Sequence, residues 1–173
     1  TVADLNKAKE LGIQQVVLSN DLDCGTTQLA LDGISVDLGG HALTTANDWG
    51  GISLKNGASI KNGTITHAGN TAAIKAFNGT SVENVTINAT CATADKTVTG
   101  IAVQQGANVE SIKNVTINGV SQGIEVGYQA TVGLIENAQV NMSTNGTANG
   151  IGLVINGGKV GLAKDSTFKG SVY

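Results

Sequence analysis

The chain has no proline and no arginine, and only 3% of its residues are aromatic. Each absence excludes something. Nucleic-acid binding surfaces rely on clustered basic side chains, arginine above all, and here charged residues make up 13% with a net charge of −3. Nucleic acid is therefore not an expected partner. Scarce aromatics argue against an ordinary globular core but suit a stack of short strands rich in β-branched residues. Long apolar runs are also missing, the longest being of the size of Val16-Val17-Leu18, so membrane insertion is not expected. No signal-peptide pattern is visible, and a start at Thr1 rather than Met suggests a chain processed or excerpted from a longer one. Low charge does not signal disorder, because 40% of residues are apolar and they alternate regularly. The two cysteines, Cys24 and Cys91, fall in separate turn-like segments. A disulfide needs Cα atoms within about 7 Å, and two or more structural repeats separate them, so free thiols or partly buried small residues are expected. The redox compartment stays open.

What the sequence does have is repetition. Ile112–Asn118 reads I-K-N-V-T-I-N, Val82–Asn88 reads V-E-N-V-T-I-N, and Ile60–Thr66 reads I-K-N-G-T-I-T. Weaker copies lie at Ile135–Asn141 and Ala163–Lys169. A second signature precedes each copy, beginning at Gly51, Ala73, Gly100, Gly123 and Gly150. A period of about 22 to 30 residues is the mark of a solenoid.

Read in order, residues 1–173 form a single all-β solenoid domain. Val2, Leu5, Ala8 and Leu11 share one helical face and Gly12 follows as a stop, so residues 1–12 predict a short helix capping the open end of the stack. Residues 13–50 predict a cap strand over Ile13–Leu22, the turn-rich Asp23–Thr27, and a first rung. In that rung Leu38-Gly-Gly-His-Ala-Leu43 lines up with Ile60-Lys-Asn-Gly-Thr-Ile65. Residues 51–173 then supply about five repeated rungs. Ile52/Leu54, Ile74/Ala76, Ile101/Val103, Ile124/Val126 and Ile151/Leu153 are expected to point inward, with Ser53, Lys75, Ala102, Glu125 and Gly152 outward between them. Ile65, Ile87, Ile117, Val140 and Phe168 form a second inward column.

Two further columns constrain the alignment. Gly40, Asn62, Asn84, Asn114, Asn137 and Asp165 share one position and are residue types suited to a tight left-handed corner, where stacked amides can bond one another. One residue earlier stand Lys61, Glu83, Lys113, Glu136 and Lys164, alternating in sign as stacked charges must if they are not to repel. Links after Asn88 and Asn141 are long and the link after Asn118 is short, which gathers variable loops along one edge. The last rung, with Val154, Val160, Leu162 and Phe168, ends at Tyr173 without a capping segment, so it is expected to meet another domain, a symmetry mate or a larger assembly.

A helix, a strand, and then Val36-Asp-Leu-Gly-Gly-His-Ala-Leu-Thr44 resembles the D-L-N-G-H-T-L-T opening rung of right-handed parallel β-helix proteins of the pectin-lyase-like superfamily, non-enzymatic members in particular. The asparagine column resembles the ladder of the same fold. The resemblance covers nearly the whole chain and implies architecture far more than function, since the fold hosts polysaccharide lyases and hydrolases, phage tailspikes and fibres, and bacterial surface proteins. Trimers are what fibres of this kind imply.

The residues themselves favour no catalytic, cofactor or metal site. Pectate lyases use an arginine base with an acidic calcium cluster, and arginine is absent here. Polygalacturonases group aspartates with a histidine on adjacent rungs, whereas Asp4, Asp21, Asp23, Asp32 and Asp37 lie in the cap or first rung, with Asp48, Asp95 and Asp165 dispersed beyond. Glu83 and Glu136 stand two rungs apart, about 10 Å by strand spacing. That separation alone does not exclude an inverting carboxylate pair, but Lys113 between them makes a charge ladder the simpler account. His41 and His67 lack ligand partners at metal-site spacing and read as structural or solvent-exposed. Asp21-x-Asp23 is too short for a calcium loop. Trp49 either stacks on a sugar or sits in an interface if exposed, or packs beneath its loop if not. The Asn-x-Ser/Thr triplets arise from the repeat itself and do not imply glycosylation. Outward pairs Thr64/Thr66, Thr86/Asn88, Thr116/Asn118, Gln139/Asn141 and Thr167/Lys169 bear a slight likeness to an ice-binding face. The expectation is a non-enzymatic structural or adhesion module of a phage virion appendage (fibre, spike or capsid decoration), sited on a virion or cell surface, homo-oligomeric or bound to other surface proteins. The alternative is a bacterial surface β-helix that binds or degrades carbohydrate, with ice binding a minor third.

Overall fold

The computed structural model describes residues 1–90, 97–143 and 150–172. It is a parallel β-solenoid of about six turns with one short N-terminal helix. A seven-stranded sheet stacks Leu29–Asp32, Ile52–Lys55, Ala72–Ala76, Thr99–Val103, Gln122–Val126, Ile151–Ile155 and Ser171–Val172 in chain order. A twelve-stranded sheet forms the rest of each turn and bends at the asparagine corner. Ser59–His67 and Ser81–Ala89 pass through that corner as single strands, while in later turns it separates pairs such as Asn108–Lys113 and Thr116–Val120. All pairing between turns is parallel.

The repeat dictates this geometry because equivalent residues pair in register. Val36, Ile60, Val82, Ile112 and Ile135 form one inward column, and Leu43, Ile65, Ile87, Ile117 and Val140 another. These side chains have essentially no exposed surface, and one continuous apolar cluster runs from Leu5 to Leu153. Burying a residue of this size contributes about 1.5–3 kcal/mol, so the columns, not the sparse charges, hold the turns together.

Gly51, Gly100, Gly123 and Gly152 stand before the first inward residue of their strands in the seven-stranded sheet for a steric reason. A Cβ on Gly100 would lie 2.5 Å from Ile117 Cγ2, and one on Gly123 would lie 2.4 Å from Val140 Cγ1. The second inward column already fills that space. The same test corrects the expected register of the last turn. Ile124 pairs with Leu153 and Val126 with Ile155, two residues beyond the expected Ile151 and Leu153. Gly152, not Gly150, takes the glycine position because Phe168 packs there, its Cβ 2.7 Å from where a Gly152 Cβ would be. Gly152 is consequently buried, and Val154 is the outward residue beside Glu125. Ser53 and Ala102, expected outward, are buried too. Both are short side chains pairing beside the long Lys75.

The first rung has a wider corner than expected. Val36 and Asp37 pair with Ile60 and Lys61, yet Ala42 and Leu43 pair with Thr64 and Ile65, so Leu38–His41 does the work of Asn62-Gly63. Leu38 turns into the core, and a Cβ on Gly63 would come within 2.5 Å of the Leu38 Cβ. Gly63 thus stands where later rungs carry Val85 and Val115.

The N-terminal helix, Val2–Glu10, is capped by Thr1, whose hydroxyl accepts from the Asp4 amide, and it buries Leu5 and Ala8 over the end of the core. Lys9 ties it to Asp32 at 3.6 Å. Leu11 is 65% exposed rather than part of the apolar face. The helix ends before it, and the chain turns away at Gly12 with φ 71°. The expected single strand over Ile13–Leu22 is instead two short ones, Gln15–Val17 and Leu22–Asp23, pairing on either side of the wide corner.

Candidate functional site

Four surfaces carry the polar and apolar groups available for function. The first is the corner. Asn62, Asn84, Asn114, Asn137 and Asp165 all have φ between 51° and 60°, the left-handed region expected of them. Each amide donates to the residue one turn earlier: Asn62 to Asp37 Oδ2 at 2.9 Å, Asn84 to Asn62 at 3.0 Å, Asn114 to Asn84 at 2.8 Å and Asn137 to Asn114 at 3.0 Å. Asp37 starts the ladder because a carboxylate only accepts, and Asp165 cannot extend it because it has no N–H to donate. Beside it, Asp37, Lys61, Glu83, Lys113, Glu136 and Lys164 pair in register with strictly alternating sign. Lys61 lies 3.7 Å from Asp37, and Lys164 pairs closely with Glu136. The Gly39 amide first, then Asn62 and Lys61, hold the Asp37 carboxyl below the usual range, and the Lys164 hydrogen bond does the same for Glu136.

The second surface is the outward face after the corner. Ala42, Thr64, Thr86, Thr116, Gln139 and Thr167 form one column. Thr44, Thr66, Asn88, Asn118 and Asn141 form the next, and none of these residues is charged. Here lies a feature that sequence reasoning missed: a second asparagine ladder, with Asn118 donating to Asn88 at 2.9 Å and Asn141 to Asn118 at 2.8 Å. The repeated I-N and V-N at the strand ends were its only signal.

The third surface is the loop edge at Ala46–Gly50. Trp49 is 81% exposed, which decides against packing beneath the loop. Its loop is nevertheless held firmly. The Trp49 amide donates to Asn47 Oδ1 at 2.8 Å, Asn47 Nδ2 donates to the Thr26 carbonyl, and the Asn70 amide donates to Asp48 Oδ1 at 3.1 Å. Gln28 Nε2 donates to the Gly50 carbonyl at 3.1 Å. Beneath lies His67, fully buried in register with the equally buried Thr45. Both imidazole nitrogens, Thr45 Oγ1 and Thr71 Oγ1 have no hydrogen-bond partner among the described residues. The Thr71 backbone faces the imidazole without reaching hydrogen-bond geometry. Burial lowers the His67 pKa, against a smaller opposing pull from Asp48. His41, by contrast, is partly exposed, with Nδ1 3.4 Å from Asp21 Oδ1, a carboxylate neighbour that sequence spacing did not reveal.

The fourth surface is the C-terminal end of the stack. Val160 and Phe168 are half-buried, Leu162 is 52% exposed and Val172 58% exposed. Tyr173 lies outside the described residues.

The remaining residues singled out in the sequence do not converge. Glu83 and Glu136 each pair with Lys113 from opposite sides. Asp48 accepts from the Asn70 amide of the next turn, and Asp95 lies outside the described residues. Cys24 is a free, buried thiol whose pKa burial pushes up to about 11, while Cys91 lies outside the described residues. Among the described residues no group of three His, Cys, Asp or Glu side chains is arranged to hold a metal ion. Family models, curated proteins and solved structures were all compared with this chain, and none matches it.

Proposed function

We propose that this chain is a non-catalytic structural or adhesion module, a rigid segment of a phage virion appendage or of a bacterial surface protein. In fold it would be a non-enzymatic relative of the pectin-lyase-like β-helices. The parallel coils and the asparagine corner support that assignment. One observation carries the functional reading. The asparagine side chains of the middle turns bond lengthwise to their own counterparts in the Asn62–Asn84–Asn114–Asn137 ladder, and the charges beside them stack in alternating sign. Groups that an enzyme would turn toward substrate serve here to lock one turn on the next. The apolar C-terminal end, with Leu162 and Val172 exposed, supports assembly with further protein, a homotrimer by analogy with fibres.

Light scattering of the purified chain tests this directly. Three copies of the 17.4 kDa chain are expected as concentration rises. A monomer at every concentration would contradict the assembly reading. Release of new reducing ends from bacterial surface polysaccharide, abolished in Asp48→Ala, Glu83→Ala or Glu136→Ala, would contradict the non-catalytic one.

A further inference from the structure

Resting on the adhesion reading above, we infer that the uncharged Thr/Asn face is a binding surface for a neutral, extended polysaccharide lying along the solenoid axis. Three observations lead there. The first is the absence of charge. Exposed strands commonly carry Lys or Glu for solubility and to discourage pairing. This chain does so elsewhere, at the corner column and at Lys75 and Glu125 of the other sheet. Between its two ends the face carries none: Asp23, in register with Thr44, marks one end, and Lys169, beyond Thr167, the other.

The second observation is the supply of hydrogen-bonding groups. Asn118 donates one amide hydrogen to Asn88 and accepts one from Asn141. An amide has two hydrogens and two lone pairs, so one of each remains for a ligand. Thr64, Thr86 and Thr116 add a column of hydroxyls alongside. The first column repeats at about 4.8 Å over six strands and the second over five, a track roughly 24 Å long. Its fixed spacing suits a polymer that presents hydroxyls at regular intervals. An anionic glycan would find no cation along the middle of the two columns to compensate its charge, Lys169 standing only at the last strand.

The third is Trp49. The loop that follows Ala42–Thr45, the first strand of this face, holds the indole 81% exposed while its backbone is fixed by Asn47 and Asp48. A solvated indole on a loop whose backbone is held is an amphipathic platform for the apolar face of a pyranose ring. An ice lattice, the other ligand a Thr-rich face brings to mind, gains nothing from an indole, so Trp49 favours the sugar.

The experiment is affinity electrophoresis of the whole chain in gels containing dextran, mannan, laminarin or linear galactan, with alginate and polygalacturonate as anionic counterparts. Thr86→Lys, Thr116→Lys and Trp49→Ala are run beside Glu110→Lys, an exposed change on a different face, with melting curves confirming that each is folded. Retardation by at least one neutral polymer is expected, weakened about tenfold or more by each of the first three changes and untouched by the fourth. Retardation by none of the neutral polymers, or equal retardation of parent and all variants, would overturn the proposal. So would ice-recrystallisation inhibition that Thr86→Lys removes. A reducing-end assay on the same mixtures keeps the two ideas apart, since cleavage would refute the non-catalytic reading while absent binding refutes only the glycan face.

Discussion

Replacing Asn114 by valine probes the corner at its middle turn. Asn114 donates to Asn84 at 2.8 Å, accepts from Asn137 at 3.0 Å, and holds φ at 51°. Valine removes both side-chain bonds, each contributing about 0.5–1.5 kcal/mol, and exposure of the ladder places them at the low end. A left-handed angle costs an ordinary side chain about 1–2 kcal/mol more, and a β-branched one no less. The sum is roughly 2–3 kcal/mol, or about 5–10 °C in melting temperature for a chain of this size. Asn114→Gly separates the two contributions, since it loses the bonds but tolerates the angle, and should fall by only about 1 kcal/mol. Thermal melts followed by far-ultraviolet circular dichroism measure both. If Asn114→Val melts with the parent, the ladder contributes nothing; if glycine costs as much as valine, the backbone argument is wrong.

Two further outcomes follow from the packing beneath the strands and loops. Gly123→Ala places a methyl 2.4 Å from Val140 Cγ1 and 2.3 Å from the Gly152 carbonyl, so it should destabilise by about 1–3 kcal/mol in chemical denaturation, whereas an unchanged midpoint would refute the steric account. His67 is buried neutral with its pKa lowered, so its contribution is complete above the unfolded value near 6.5 and is lost as pH falls through it. Melts between pH 7 and 5 should show declining stability that His67→Leu flattens; parallel profiles for the two proteins would contradict this. The depressed carboxyls of Asp37 and Glu136 act in a different window, losing their stabilisation only as pH falls below the ordinary carboxylate range.

The parts of this fold that the sequence made legible are those where one residue type recurs under one physical demand. Left-handed corners select Asn, stacked charges must alternate, and inward strand positions select Ile and Val, so these columns fell into place unaided. Register failed where the pattern was ambiguous. Gly150 and Gly152 are two residues apart, and a shift of two keeps every side chain on its own face, so the periodic pattern could not choose between them; Phe168 crowds Gly152 and Met142 crowds Gly150. The wide first corner was hidden because Leu38 is as apolar as Val36, and either satisfies the core column. Leu11 continued the helical spacing past the point where the helix ends. Of the candidate surface, the Thr array was visible in the repeat, but the Asn88–Asn118–Asn141 ladder depends on amide orientation. The burial of His67 depends on a loop folding over it, which no local pattern encodes.

Hydrogen exchange read turn by turn, at several protein concentrations, tests most directly whether this solenoid is built to assemble through its C-terminal end. The account predicts slow, concentration-independent exchange in Ser81–Ala89 and Thr116–Val120, whose strands are paired on both sides. Lys159–Lys164 and Thr167–Phe168 are the last strands of their sheet, and their exchange should slow markedly as the chain is concentrated into its oligomer. A monomer at all concentrations whose final strands exchange as slowly as the middle ones would contradict it.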